Sequence, residues 1–327
     1  MMQSTANVTS LRPIGRPYAS YYLLDGLRFL HGSTLHVATV SMTTIFGLGL
    51  FGNAATFFIM TSRRFRHLSY AIYLTALSVT DFGSTVFLTC LPVLNYYYVK
   101  FHGSRLVDFQ NRVQCILFEM LASELIICSS WFVVIIAVER FVLVFFPFTA
   151  RVVCTAKFAR STLGGVLVVN ALITAIIDTR TGYTDALGCH ITLKHQQRAF
   201  LFFVTYVYVI PILVVIFANS AISVKLYTNR RFGGNEAKCA KTRRATVMLL
   251  AVSSVFLLTA SPTTIYTFIP NIGGAAMKLI YVTLSLLLSC NYAVNFYVYL
   301  LMGREVRGYI YKRVISCNNA WTKPGRL

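Results

Sequence analysis

Seven apolar stretches dominate this chain of 327 residues. They lie at residues 35–60, 69–91, 115–142, 159–177, 199–226, 245–269 and 278–301. Each is about long enough, as a helix rising 1.5 Å per residue, to cross a hydrocarbon core of about 30 Å. A buried helix of a water-soluble protein imitates one such stretch, but not seven in a row. Only 12% of the residues are charged, and the mean hydropathy is +0.65. The expected fold class is therefore all-α: a seven-transmembrane helix bundle followed by a short amphipathic eighth helix. The expected division is an extracellular segment at 1–34, the bundle at 35–302, and an amphipathic helix with a cytoplasmic tail at 303–327.

Charge orients the bundle. Lys and Arg collect in alternate gaps: Arg63, Arg64 and Arg66 after the first stretch, then Arg151, Lys157 and Arg160 after the third. A basic run from Lys225 to Arg244 follows the fifth, and the tail carries Arg304, Arg307, Lys312 and Arg313. The positive-inside rule places these gaps in the cytoplasm and the N-terminus outside. The net charge of +20 does not read as nucleic-acid binding, because it is spread over short loops. It suits the anionic inner leaflet of a membrane instead. Residues 1–20 carry no signal-peptide pattern, so the first span is expected to act as its own insertion signal. Asn7-Val8-Thr9 is a glycosylation sequon on the outer side.

The cysteines show no metal-ligand spacing. Cys115 and Cys189 lie on the outer side, where redox compartment and topology permit a disulfide between them; two free thiols are the other reading. Cys317, among basic residues of the tail, is a palmitoylation candidate or an ordinary tail cysteine.

Polar residues inside apolar spans are costly and become candidate sites. They are Asn53, Asp81, Ser129, Asn291 and Asn295. A buried carboxylate must neutralise or find partners. Asp81, Ser129, Asn291 and Asn295 thus form either a static polar clamp or a hydrated network that takes Na⁺. Glu139-Arg140 ends the third span, and a buried Arg140 must be paired at rest. Glu119 and Glu124 lie nearer the outer half of that span, five apart and so on different faces. Glu119 suits either an outward cavity or helix packing, and Glu124 suits contact with a neighbouring helix. Pro92, Pro211 and Pro262 mark hinges.

In order and spacing these residues resemble a rhodopsin-like (class A) G-protein-coupled receptor, over about residues 40 to 317. The resemblance rests on Gly52-Asn53, on Leu77-Ser78-Val79-Thr80-Asp81, and on Cys115 lying 25 residues before Arg140. It continues through Glu139-Arg140-Phe141, Pro147, Pro211, Phe256 six before Pro262, and Asn295-Phe296-Tyr297-Val298-Tyr299. Gly303-Arg304-Glu305-Val306-Arg307 is similar to the start of the amphipathic helix. Three positions depart from the pattern. The fourth-span tryptophan is missing, Ala260 replaces the sixth-span tryptophan, and Asn219 replaces the fifth-span tyrosine. The resemblance implies a non-enzymatic receptor of the plasma membrane without an organic cofactor. It implies switch or G-protein-coupling roles for Asp81, Glu139, Arg140, Phe256, Pro262, Asn291, Asn295 and Tyr299.

Opsin-type photoreception is disfavoured by Ser289, and monoamine recognition by Ala122. The Asn-Phe-x-x-Tyr variant with Asn291 is similar to invertebrate FMRFamide-like neuropeptide receptors. That implies an extracellular, amidated peptide ligand, with Glu119, Ala122, Tyr206 and Tyr266 as ligand-binding candidates. The implied partners are that peptide, a heterotrimeric G protein, arrestin and membrane lipid, with no nucleic acid. A chemosensory receptor of the same fold is the alternative, and a membrane transporter or channel a remote one.

Overall fold

The computed structural model describes residues 32–103, 106, 111–178, 181–184, 188–191, 201–228, 236–267 and 275–321. Asn7 and the Cys189 and Cys317 side chains lie outside what is described.

Six helical segments are long and apolar enough to cross a membrane singly. They are Gly32–Met60, Ser69–His102, Arg112–Phe145, Ala156–Ile176, Leu201–Thr228 and Thr242–Tyr266. A seventh span is broken into Val282–Ala293 and Asn295–Met302, bent by 54°. Large apolar side chains such as Phe51, Phe58, Leu172, Leu213, Phe217 and Leu258 stand exposed on the bundle's outer surface. A surface that apolar is a lipid-facing one. The interior is filled by Tyr73, Leu74, Leu77, Phe132, Phe256, Tyr292 and Tyr299, contributed by spans two, three, six and seven.

Local sequence explains where the helices begin, bend and stop. Asn111 caps the third span, its side-chain oxygen accepting from the Gln114 N–H at 3.0 Å, which satisfies one donor of the open first turn. Gly103, at φ 70°, ends the second span in the left-handed conformation that glycine adopts without a Cβ penalty. Pro92 and Pro211 each follow a widened π-helical turn, Val86–Cys90 and Thr205–Val209. A proline lacks an N–H and crowds the carbonyl four residues back. Those carbonyls, on Leu88 and Val207, lie inside the two wide turns, which absorb the defect. Pro262, by contrast, lies inside the helix Glu236–Thr267.

The seventh span breaks at Val294 although Phe296 stands where the resemblance would have proline. The neighbouring span fits this break closely. A Cβ on Gly52 would come within 3.0 Å of Phe296 Cβ, and one on Gly49 within 3.0 Å of Thr85 Cγ2. Asn53 Nδ2 donates to the Tyr292 carbonyl at 2.8 Å, just before the break. A two-stranded antiparallel hairpin, β1 (Thr181–Thr184) and β2 (Gly188–Ile191), lies against the third span.

The last helix, Arg304–Trp321, starts directly after Gly303. It is held to the turn after the first span by Arg64–Glu305 at 2.5 Å and by an edge-to-face contact of Phe65 with Tyr309 at 5.7 Å.

Candidate functional site

Asp81 is fully buried in the second span. Its two carboxylate oxygens are held from two other helices. Ser129 Oγ donates to Oδ1 at 2.5 Å, and Asn295 Nδ2 donates to Oδ2 at 2.6 Å. Spans two, three and seven therefore meet on one carboxyl group. Asn295 reaches it as the first residue after the break in the seventh span. Asn291, one turn earlier, turns to the sixth span, where its oxygen accepts from Thr259 Oγ1 at 3.2 Å. Of the four residues singled out for sodium, Asp81, Ser129 and Asn295 converge directly and Asn291 does not join them. Their carboxylate, hydroxyl and amide groups suit a hard cation. Ser84, one turn on from Asp81 in the same helix, adds a buried hydroxyl without a hydrogen-bond partner. Among the described residues no group of His, Cys, Asp and Glu is arranged to hold a metal.

The second centre is Arg140, buried at 4% exposure. Its Nη2 meets Glu139 Oε2 at 2.5 Å, and its guanidinium lies 5.4 Å from the Tyr70 ring centroid. A guanidinium over an aromatic face gains from the ring's negative quadrupole. Arg140 Nε and Glu139 Oε1 are buried without a hydrogen-bond partner, so this pair leaves capacity unused on both sides. Beside it lies a cavity of about 320 Å³, lined by Tyr70, Leu143, Cys154, Ala245, Met248 and Val306. Burial and the Glu139 charge push the Cys154 thiol up to about 11, so it stays neutral beside Arg140.

Between these centres the sixth span is tied to its neighbours by side chains. Ser253 Oγ donates to Asn219 Oδ1 of the fifth span at 2.9 Å. Thr263 Oγ1 donates to the Leu284 carbonyl of the seventh at 3.2 Å. Phe256 and Tyr299 are both buried at 1% exposure within the same core. Asn219 thus does from the fifth span what its residue type allows: a short amide that latches to a serine, with no ring to reach Arg140. Tyr70 and Ser253 escape sequence reasoning. Neither is a charged group within an apolar run, and only packing gives them partners.

The ligand candidates divide. Glu119 and Ala122 are buried in the third span, toward the end opposite Arg140. Tyr266 is partly buried at the corresponding end of the sixth. Tyr206 is committed elsewhere. Its hydroxyl donates to Asn170 Oδ1 at 2.8 Å, and its ring lies 5.0 Å from Trp131. Asn170 in turn donates to Cys128 Sγ at 3.3 Å, and Cys128 to Glu124 Oε1 at 3.1 Å. Thr174 approaches the other Glu124 oxygen at 3.3 Å. Glu124 therefore meets the neighbouring fourth span, as its position suggested.

The expected Cys115–Cys189 pairing is corrected to a statement about Cys115 alone. Cys115 is disulfide-bonded, but no complete Cys115–Cys189 bridge exists among the described residues. A disulfide is defined by two sulfur positions, and the Cys189 sulfur is not one of those described. Its backbone lies in β2, opposite Tyr183. The described free thiols are Cys90, Cys128, Cys154 and Cys290.

A bundle of seven membrane-spanning segments, with polar contacts joining spans two, three and seven and a buried acid–arginine pair beside a cavity, has the architecture of a seven-helix membrane receptor. The family model described as "7 transmembrane receptor (rhodopsin family)" matches residues 52–299. The chain belongs to that family. It is a multi-pass plasma-membrane receptor and not an enzyme. A comparison with curated proteins finds no match.

Proposed function

We propose that this receptor binds an extracellular amidated peptide and passes the signal to a heterotrimeric G protein at its Arg140 end. The observation that carries the reading is the state of Arg140. Its guanidinium is buried, held by its own neighbour Glu139, and faces a cavity with Nε unspent. A group in that condition gains from a partner that enters the cavity. The closed bundle withholds that gain while the sixth span stays latched.

Ligand binding acts by linkage. A peptide shifts the bundle only by the difference between its affinities for the open and closed states. Swinging of the sixth span about Pro262 exposes Arg140, and Tyr299 steadies the open state. GDP–GTP exchange takes place in the partner, and arrestin competes for the same cavity. Asp81, with Ser129 and Asn295, exchanges contacts as the seventh span moves, and Na⁺ at this site favours the closed state. The basic gaps support an outer position for residues 1–34, with Asn7 available for glycosylation. Residues 35–302 form the bundle, and residues 303–327 lie on the cytoplasmic surface.

The peptide assignment is supported by an acidic residue, Glu119, at the end of the bundle opposite Arg140, and by the Asn-Phe-x-x-Tyr resemblance. An arginine near the peptide's amidated aromatic end would meet Glu119. The test is a panel of amidated peptides on cells carrying a promiscuous G protein. At least one arginine-containing amidated peptide activates the wild type, and Glu119→Gln weakens it about tenfold, the loss of one charge-assisted contact, while sparing neutral analogues. Activation by small neutral molecules alone would replace the peptide reading with a chemosensory one.

A further inference from the structure

The switch leaves unused a groove of about 610 Å³ on the outer surface of the bundle, between the Arg140 end of the third span and the fifth span. Leu213, Phe217 and Val224 run down one helix face at spacings of four and seven and are exposed at 61%, 66% and 62%. Ala221, a small residue among large ones, leaves the groove open. The stripe from 213 to 224 rises about 16 Å, comparable with one leaflet of a ~30 Å core.

The groove ends on a cation. Lys225 Nζ stands 5.8 Å from the Phe145 ring centroid. Among the described residues no carboxylate pairs with it; the ion pairs there are Arg64–Glu305 and Arg140–Glu139. Thr228, beside it, gives its hydroxyl proton to the Val224 carbonyl at 3.0 Å. The ammonium therefore keeps its donors for an anion outside the protein, at the depth where headgroups begin. An acyl chain satisfies the apolar stripe but not the lysine. A free phosphate satisfies the lysine but not the stripe. One molecule that satisfies both is an anionic phospholipid.

We propose that this groove is a retained site for one anionic phospholipid, its acyl chain along 213–224 and its phosphate on Lys225. The site adjoins the switch through contacting rings. Phe145 lies 4.6 Å from Phe141, and Phe141 lies 5.8 Å from Phe217. Phe141 directly follows Arg140.

The full chain, reconstituted with equal phosphatidylglycerol and phosphatidylcholine, is extracted in mild detergent and weighed by native mass spectrometry. The wild type keeps about one phosphatidylglycerol per chain under conditions that strip phosphatidylcholine. Lys225→Ala lowers that retention about fivefold, the effect of one lysine near an anionic surface. Ala221→Phe, which fills the groove, lowers it similarly, whereas Lys225→Arg and the control Lys312→Ala keep it. Thermal unfolding in pure phosphatidylcholine confirms that each variant is folded. Equal retention by wild type and both groove variants overturns the proposal. So does equal retention of the two lipids, displacement by millimolar inorganic phosphate, or a chain dimer that forms only while the groove is open.

Discussion

Asn295 donates its side-chain N–H to Asp81 Oδ2 at 2.6 Å, a bond between residues 214 positions apart. It joins the short final segment of the seventh span to the middle of the second. Ser129 holds the other oxygen from the third span, so movement of any one of the three helices relative to the others must break or replace a hydrogen bond to this carboxyl.

Asp81→Asn tests that junction with little change in volume. The amide still accepts from Ser129 but presents a weaker acceptor, or a competing donor, to Asn295. Loss of one buried hydrogen bond is worth about 1–3 kcal/mol, enough to shift agonist potency about tenfold while surface expression stays near wild type. The sodium response should vanish. Unchanged potency together with an unchanged sodium response would make Asp81 a static clamp.

Ser253→Ala tests the latch between spans five and six. Asn219 Nδ2 is already buried without a partner, and the substitution strips its oxygen as well. An orphaned buried amide costs about 1–3 kcal/mol, and the open bundle relieves that cost. Ligand-independent nucleotide exchange should rise about fivefold or more. A fall in expression with no rise in basal exchange would assign Ser253 to packing alone.

The Glu124–Cys128–Asn170–Tyr206 contacts predict coupling between two single substitutions. Asn170→Leu and Tyr206→Phe each remove one side of the 2.8 Å bond. A double-mutant cycle on thermal unfolding should return about 1 kcal/mol of interaction. Additive effects would mean that the bond contributes nothing in the membrane. This cycle also separates the two roles of Tyr206. If ligand potency falls in Tyr206→Phe but not in Asn170→Leu, the hydroxyl serves the ligand as well.

Gly52→Val and Gly83→Ala should differ sharply in stability. At Gly52 the obstacles are Phe296 Cβ at 3.0 Å and the Ala293 carbonyl at 3.4 Å, atoms that cannot step aside. At Gly83 the obstacle is the flexible end of Leu125 at 2.8 Å, which has other rotamers. Overpacking at Gly52 should cost about 2 kcal/mol, read as a lower thermal midpoint in detergent, and Gly83→Ala markedly less. Equal losses would show that the first and seventh spans are not closely packed there.

Hydropathy made the seven spans legible because a bilayer leaves a chain few other ways to satisfy its backbone. Asp81, Ser129 and Asn295 were legible as a set because polar groups stand out in apolar runs. Their direct contact was not, since it depends on helix rotation. Asn291 shows the difference. Four positions before Asn295 and on the other side of the break at Val294, it bonds Thr259 of the sixth span instead. The break was hidden because Phe296 removes the proline that would have announced it. The prolines at 92 and 211 were visible, but the wide turns before them were not. Those turns arise from how a helix relaxes around a missing donor, and residue identity does not record that. The Arg64–Glu305 pair links residues 241 apart, each ordinary in its own loop or helix.

The distance between the Arg140 ends of spans two and six tests the central claim most directly. Nitroxide labels at exposed Arg66 and Arg243, read by double electron–electron resonance on the receptor with activating ligand and G protein, report that distance. A second, longer population should appear, grow with ligand, and be present without ligand in Ser253→Ala. A single unchanged distance in a sample that is exchanging nucleotide would contradict the account.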